Sequence, residues 1–295
     1  MSIATRPDTR FAWLWLTDRC QLACRHCASH SGPQGTHGSM ELADWKRVID
    51  ELAAAGVLDV QFYGGEPTAH PDLPELIVYA RAAGLGVEVY SNLFSITPRV
   101  WAALEQPGVR LATSYYSGHA TQHEAITGRA GSHERTRANI AAALRRGIPL
   151  RVGIVRMRPG QDVAGAVAEL TGLGVPAERI RIDDVRRIGR ADGVPAGGVE
   201  ELCGHCADGS VAVRPDGQVQ LCAFSGEQLG SIGNVHEQPI EQVLAGAAHH
   251  QARAVLAGLP TNGPCQPDGG PCIPKGGDCL PYSDPCNPCL PKNLA

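Results

Sequence analysis

Residues 12–27 read AWLWLTDRCQLACRHC. Ala12 to Thr17 is a short apolar-rich run of strand length, and it opens directly into a loop carrying Cys20, Cys24 and Cys27. Outward from it, strand and helix signals alternate. Met40 to Ala55 places Leu42, Trp45, Val48, Ile49 and Leu52 at a helical period, and Gly56 ends it. Val57 to Tyr63 is a second strand, Leu73 to Ala83 a helix closed by Gly84, and Val87 to Tyr90 a third strand. Pro98 to Glu105 starts a helix with proline in its first turn. Val109 to Thr113 is a fourth strand, followed by a polar loop and an Arg/Ala-rich helix from Glu134 to Arg146. Leu150 to Val155 and Arg179 to Asp183 are strands five and six, with helix Val163 to Leu173 between them. Six such repeats predict parallel strands with right-handed crossovers. The expected fold is α/β, a partial (β/α)6 TIM-like barrel, because a full eight-stranded barrel needs more chain before the composition changes. A doubly wound sheet shares this period.

After Asp192 the pattern changes, which divides the chain into residues 1–192 and 193–295. Ser210 to Arg214 and Gln218 to Leu221 alternate around Pro215-Asp216-Gly217, a hairpin signal, and Ile240 to Leu256 is helical in pattern. From Gly258 onward, 38 residues hold nine Pro, six Gly and five Cys. Such a segment cannot order itself by apolar packing, so its cysteines point to metal.

Composition excludes several classes. The 295 residues carry 26 Lys+Arg against 30 Asp+Glu, a formal −4, with no basic surplus for nucleic acid. At 43% apolar the chain can build a sizeable core. No run approaches the ~20 apolar residues of a membrane span, and the N-terminus lacks a signal peptide's pattern. A cytoplasmic protein with no membrane or nucleic-acid partner is expected. Eleven cysteines in such a chain favour metal or iron–sulfur ligation over disulfides.

Three thiolates within eight residues can close on one centre and leave a coordination position open, which is a catalytic arrangement. A zinc site that borrows His26 or His30 is the plainer alternative. Tyr63-Gly64-Gly65-Glu66-Pro67 ends strand two. Its glycines would let a ligand approach the backbone and its carboxylate could receive an ammonium group, although Gly-Gly before Pro is also an ordinary turn. Ser91-Asn92 ends strand three, either as sugar-binding polar groups or as a helix-capping loop. Ser114-Tyr115-Tyr116 follows strand four. In a parallel barrel all four lie on the face where barrel enzymes place their sites.

Cys20-x3-Cys24-x2-Cys27, Gly64-Gly65-Glu66-Pro67 and Ser91-Asn92 together resemble the radical S-adenosylmethionine superfamily over about residues 12–190. The resemblance implies a [4Fe-4S] cluster on the three cysteines whose open iron binds S-adenosylmethionine. Reductive cleavage would yield a 5′-deoxyadenosyl radical that abstracts a substrate hydrogen. It also implies that Gly64, Gly65 and Glu66, beside Pro67, hold the methionine ammonium and that Ser91 and Asn92 hold the ribose. His26 stands where relatives contact adenine, or is a loop histidine.

Cys206-x10-Gly217-x4-Cys222, with Ile232-Gly233-Asn234-Val235, is similar to a SPASM domain, which implies two auxiliary [4Fe-4S] clusters. Their ligands would be Cys203, Cys206, Cys222, Cys265, Cys272, Cys279, Cys286 and Cys289. The gaps among the last five depart from the usual domain, so the partition stays open, as does one cluster with remaining thiols. Where relatives often read Ser-Leu-Asp-Gly after strand four, this chain has Ser114-Tyr115-Tyr116-Ser117. Tyr116 is a candidate catalytic donor or relay, or a buried rim aromatic. Asp183, Asp184 and Arg186 close strand six; Asp184 is a candidate base, with strand-end salt bridging the plainer reading.

The resemblance implies modification of a ribosomally made peptide, preferably an oxidative cross-link, with an external electron donor. The partner expected is the precursor peptide; with strand one starting at residue 12, a separate leader-binding protein stays open as a second. Oxidation or epimerisation of a small sugar or aminocyclitol is the alternative. A cysteine-rich zinc-binding interaction module is the reading from another class.

Overall fold

The computed structural model describes residues 9–195, 197–202, 206 and 209–257. Six strands run in parallel: β1 (Phe11–Thr17), β2 (Asp59–Gly64), β3 (Gly86–Tyr90), β4 (Val109–Tyr115), β5 (Leu150–Arg156) and β6 (Ile180–Asp184). Between them lie α1 (Leu42–Ala54), α2 (Leu73–Ala82), α3 (Pro98–Leu104), α4 (Ala120–Thr127), α5 (Ser132–Arg145) and α6 (Val163–Gly172). The strand order is sequential from β6 to β1. A doubly wound sheet reverses its order at a switch point, and this one does not. Same-handed crossovers without a reversal put every helix on one face, so the sheet curls into an open partial barrel.

The outer face of the sheet is apolar and packs on the helices: Leu14, Phe62, Val87, Val89, Val152 and Ile154 are buried with Trp45, Ile49, Leu76 and Ile140. The alternate, inward positions mix aromatic and polar side chains. Trp13, Gln61 and Glu88 are register partners across β1 to β3. Arg151 of β5 grips Glu88 with two bonds of 2.6 and 2.8 Å, and Gln61 donates to the same carboxylate. Burial alone would raise the Glu88 pKa, but the Arg151 guanidinium outweighs it and holds the carboxyl below its usual range. Such a pair is expensive to desolvate and costly to break.

The C-terminal region is joined to this sheet. β7 (Ser210–Val213) pairs in parallel with β1, from Phe11↔Ser210 to Leu14↔Val213. β8 (Gln218–Gln220) and the short β9 (Gly233–Asn234) extend it antiparallel to nine strands. The hairpin signal holds, with Gly217 at φ +79° in the turn. Two expectations are corrected. The polar loop after strand four contains α4, and the helix expected over Ile240–Leu256 is broken at Gly246. After α7 (Gly226–Leu229), this leaves α8 (Ile240–Ala245) and α9 (Ala247–Ala257). Among the described residues no helix is long and apolar enough to cross a membrane.

Candidate active site

The cysteine loop leaves β1 at the C-terminal edge of the sheet and is held by backbone bonds. Gly65 N–H donates to the Thr17 carbonyl (2.6 Å), Glu66 N–H to Arg19 (2.9 Å), and Cys20 N–H to Gly32 (2.9 Å). The paired glycines serve this closeness: a Cβ on Gly65 would stand 2.4 Å from the Arg19 oxygen, and one on Gly64 (φ +134°) 2.6 Å from that of Thr17. What approaches the Gly-Gly backbone is therefore the cysteine loop itself.

Glu66 is fully buried, and both carboxylate oxygens are engaged. Oε1 accepts from the Thr68 amide (3.0 Å), the Thr68 hydroxyl (2.7 Å) and the Ser91 hydroxyl (2.7 Å); Oε2 accepts from the Asn92 amide (2.8 Å). Burial pushes its pKa up, against those donors. These protein donors hold the carboxylate in place between the β2 and β3 ends. Here Glu66 and Ser91 brace the β2 and β3 ends together, and Pro67 opens a one-turn 3-10 helix over Pro67–Ala69. Asn92 reaches the thiols, with Nδ2 3.5 Å from Cys20 Sγ, while its Oδ1 accepts from Gln21 (3.2 Å) and the Phe94 amide (2.8 Å).

Cys20 packs with Leu22 and Phe94, with Cys24 against them. Burial pushes the Cys20 thiol up, with Glu66 adding, and raises Cys24 to about 12, with Cys27 adding. A bound cationic centre would offset that burial and hold the sulfurs as thiolates. Among the described residues, no group of three or more His, Cys, Asp or Glu is placed to hold one metal ion. A lone zinc gathers its sulfurs at about 2.3 Å from one point; a cluster takes each thiolate on a different iron. The donor set fits the cluster.

The remaining candidates are placed as follows. His26 stacks edge-on to Tyr116 at 5.1 Å between centroids. Tyr116 is 6% exposed, and its hydroxyl is near enough to Cys24 to favour the thiolate slightly against burial. Asp184 is exposed and lies outside this group: Arg156 donates to both its oxygens (2.6 and 3.0 Å) and holds its pKa low, which leaves a weak base. Cys222 Sγ lies 2.9 Å from Cys206 Sγ, both buried, so the hairpin does return Cys222 to Cys206. Cys203, Cys265, Cys272, Cys279, Cys286 and Cys289 lie outside the described residues.

Arg190 was not foreseen. It donates from Nε to the Cys24 carbonyl and from Nη2 to Ser31 (both 2.8 Å), and from its amide to Cys27 (3.0 Å). Its guanidinium also favours the Cys24 thiolate. Gly189 before it has φ +65°, and a Cβ there would meet the Cys27 oxygen at 2.3 Å; that glycine was the available signal. A cavity of about 500 Å³ opens between the cysteine loop and the β7–β8 hairpin, with Trp15, Asp18, His30, Arg214 and Gln220 in its wall. Arg214 stacks 4.1 Å above the Trp15 ring. Asp18 Oδ1 and Gln220 Oε1 are buried acceptors there without a hydrogen-bond partner.

Residues 16–163, half of the chain, match the radical SAM superfamily. The chain belongs to that superfamily. Residues 203–268 match an iron–sulfur cluster-binding domain, SPASM, a span that contains Cys203, Cys206, Cys222 and Cys265. The PqqA peptide cyclase of Rhodopseudomonas palustris is 33% identical over 180 residues, covering 60% of this chain and 47% of the relative. That of Xanthomonas euvesicatoria is 35% identical over 190 residues, covering 62% and 48%. The chain thus spans about half the length of these relatives. In fold it is similar to Streptococcus suis SuiB bound to precursor peptide SuiA, with TM-score 0.68 at 13% identity over 88% of this chain and 70% of that one.

Proposed function

We propose that this radical SAM protein modifies a ribosomally made peptide by hydrogen abstraction, with an oxidative cross-link as the preferred outcome. The relatives named PqqA peptide cyclase carry the choice of a peptide over a sugar, an aminocyclitol or a zinc module. In the site, the observation that supports it is the cavity between residues 28–30 and the β7–β8 hairpin, whose unpartnered Asp18 and Gln220 acceptors suit peptide N–H groups. When bound, a [4Fe-4S] cluster on Cys20, Cys24 and Cys27 supplies the electron that cleaves S-adenosylmethionine to a 5′-deoxyadenosyl radical.

The chain's own residues prepare that event. Gly64, Gly65 and Glu66, beside Pro67, are proposed to hold the methionine ammonium of S-adenosylmethionine, Ser91 and Asn92 its ribose, and His26 its adenine. Tyr116, buried against His26, is the proposed donor or relay on the Cys24 side. Arg190 clamps the loop. The units 1–192 and 193–295 share one sheet, so auxiliary clusters on Cys203, Cys206, Cys222 and the later cysteines would be anchored to the strand that carries the catalytic loop. An external electron donor completes the system, with a separate leader-binding protein beside the precursor peptide.

Anaerobic reconstitution tests the reading. Wild-type protein should form 5′-deoxyadenosine, and with its precursor peptide a product lighter by two hydrogens. Cys20→Ala, Cys24→Ala and Cys27→Ala together should abolish both, and continued cleavage of S-adenosylmethionine in that variant would refute the assignment.

A further inference from the structure

Gln220, on β8, is 4% exposed, yet among the described residues its Oε1 meets no hydrogen-bond donor. The buried Oδ1 of Asp18 lacks one too. Both residues line the cavity of about 500 Å³ between residues 28–30 and the β7–β8 hairpin. Native proteins leave few buried polar atoms unsatisfied, and each one calls for an explanation. Two in one cavity point to a guest. Both atoms are acceptors, and among the described residues the wall holds no buried donor without a partner. The guest therefore brings hydrogen-bond donors and needs no acceptor.

Charge narrows the choice. Three carboxylates line the cavity, Asp18, Asp216 and Glu227, against one guanidinium, Arg214. His30 (2.6 Å) and the Gly189 amide (3.1 Å) engage Glu227. Arg214 stacks on the Trp15 ring with its Nε 3.8 Å from Asp216. Carboxylate stays in surplus. A hard metal ion takes about six oxygens, and among the described residues no group of three or more His, Cys, Asp or Glu is placed to hold one. An organic cation with N–H donors answers both the charge and the orphaned acceptors. Ile188 and Phe224 in the same wall suit a methylene stem.

We propose that this cavity docks a basic side chain, lysine or arginine, of the precursor peptide, with Asp18 and Gln220 accepting its N–H groups. The proposal deepens the peptide-modifying reading and rests on it for the peptide. Asp18 stands two residues before Cys20, and Ser29, also in the wall, two residues after Cys27. A side chain held there sets the register of the peptide against the loop that carries the thiols. Charge-assisted hydrogen bonds are about twice as strong as neutral ones, so the pocket sorts basic from neutral side chains of equal size.

The test uses the reconstituted full chain, kept anaerobic, and isothermal calorimetry. The probes are Nα-acetyl-lysine amide, Nα-acetyl-arginine amide and the neutral Nα-acetyl-norleucine amide. At least one basic probe should bind roughly tenfold or more tighter than the norleucine probe and weaken as salt rises. Asp18→Asn and Gln220→Met should each weaken that binding, Asp18→Asn by about tenfold, with iron content and melting temperature held near wild type. Gln220→Met reads the pocket from the hairpin side, away from the cysteine loop. Equal binding of all three probes would overturn the proposal, as would basic-probe binding indifferent to both substitutions. So would tighter binding of Nα-acetyl-glutamate amide, equal binding of glycinamide, an ammonium without the stem, or no binding of any probe, which would mark a water-filled cavity only. If wild-type protein forms no 5′-deoxyadenosine with dithionite, the functional reading fails, while the probe series still decides the pocket.

Discussion

His123 sits 1% exposed on α4 with its ring 4.9 Å from Tyr115, 5.2 Å from Tyr116 and 5.3 Å from His133. Burial, with the neighbouring His133, lowers its pKa to about 3 from an ordinary 6.5. The unfolded chain therefore binds a proton below pH 6.5 that the folded chain refuses until about pH 3, and stability falls as pH falls through that window. At pH 5 this one group should cost about 2 kcal/mol relative to neutral pH. His123→Phe should flatten the acid limb of a urea-denaturation profile by about that amount, and an unchanged slope between pH 7 and 5 would sink the idea. None of this was visible in the residue itself. The loop after strand four reads as polar, and only its packing as α4 puts His123 under Tyr115 and Tyr116.

At the scale of elements, the Gly64-Gly65-Glu66 turn and the cysteine loop are one construction. The motif was legible, but its physical reason was not: spacing alone cannot tell a glycine cleared for a ligand from one cleared for another stretch of backbone. Gly65→Ala should force the Arg19 carbonyl away from a Cβ 2.4 Å distant, at a cost of about 1–3 kcal/mol. Because that shift moves the start of the Cys20 loop, iron content after reconstitution should fall along with the melting temperature. A variant that melts earlier but binds full iron would show that the loop does not depend on this contact. Asp184 teaches the converse. Its position at a strand end made it a candidate base, and the pairing with Arg156 follows from Arg156↔Asp184 register between β5 and β6, which sequence periodicity does not specify.

For the whole molecule, the join between β1 and β7 makes the two halves mechanically continuous. Ala212 pairs with Trp13 on one side and Gln220 on the other. Ala212→Pro removes a ladder donor inside the sheet, leaving a buried carbonyl unsatisfied at about 1–3 kcal/mol. Amide exchange should then quicken in Phe11–Thr17 as well as in the hairpin. Protection of β1 that survives unfolding of residues 209–257 would mean that the halves are independent. By itself, the sequence determined the alternation of strand and helix, the cysteine triplet, the rim motifs and the hairpin, because each depends on neighbours within a few residues. Tertiary structure alone decided the sequential strand order, the polar lumen around Glu88 and Arg151, and the Arg190 clamp. It also decided which strand the hairpin joins. Those are pairings between distant segments, and local periodicity carries no record of which distant segment lies next door.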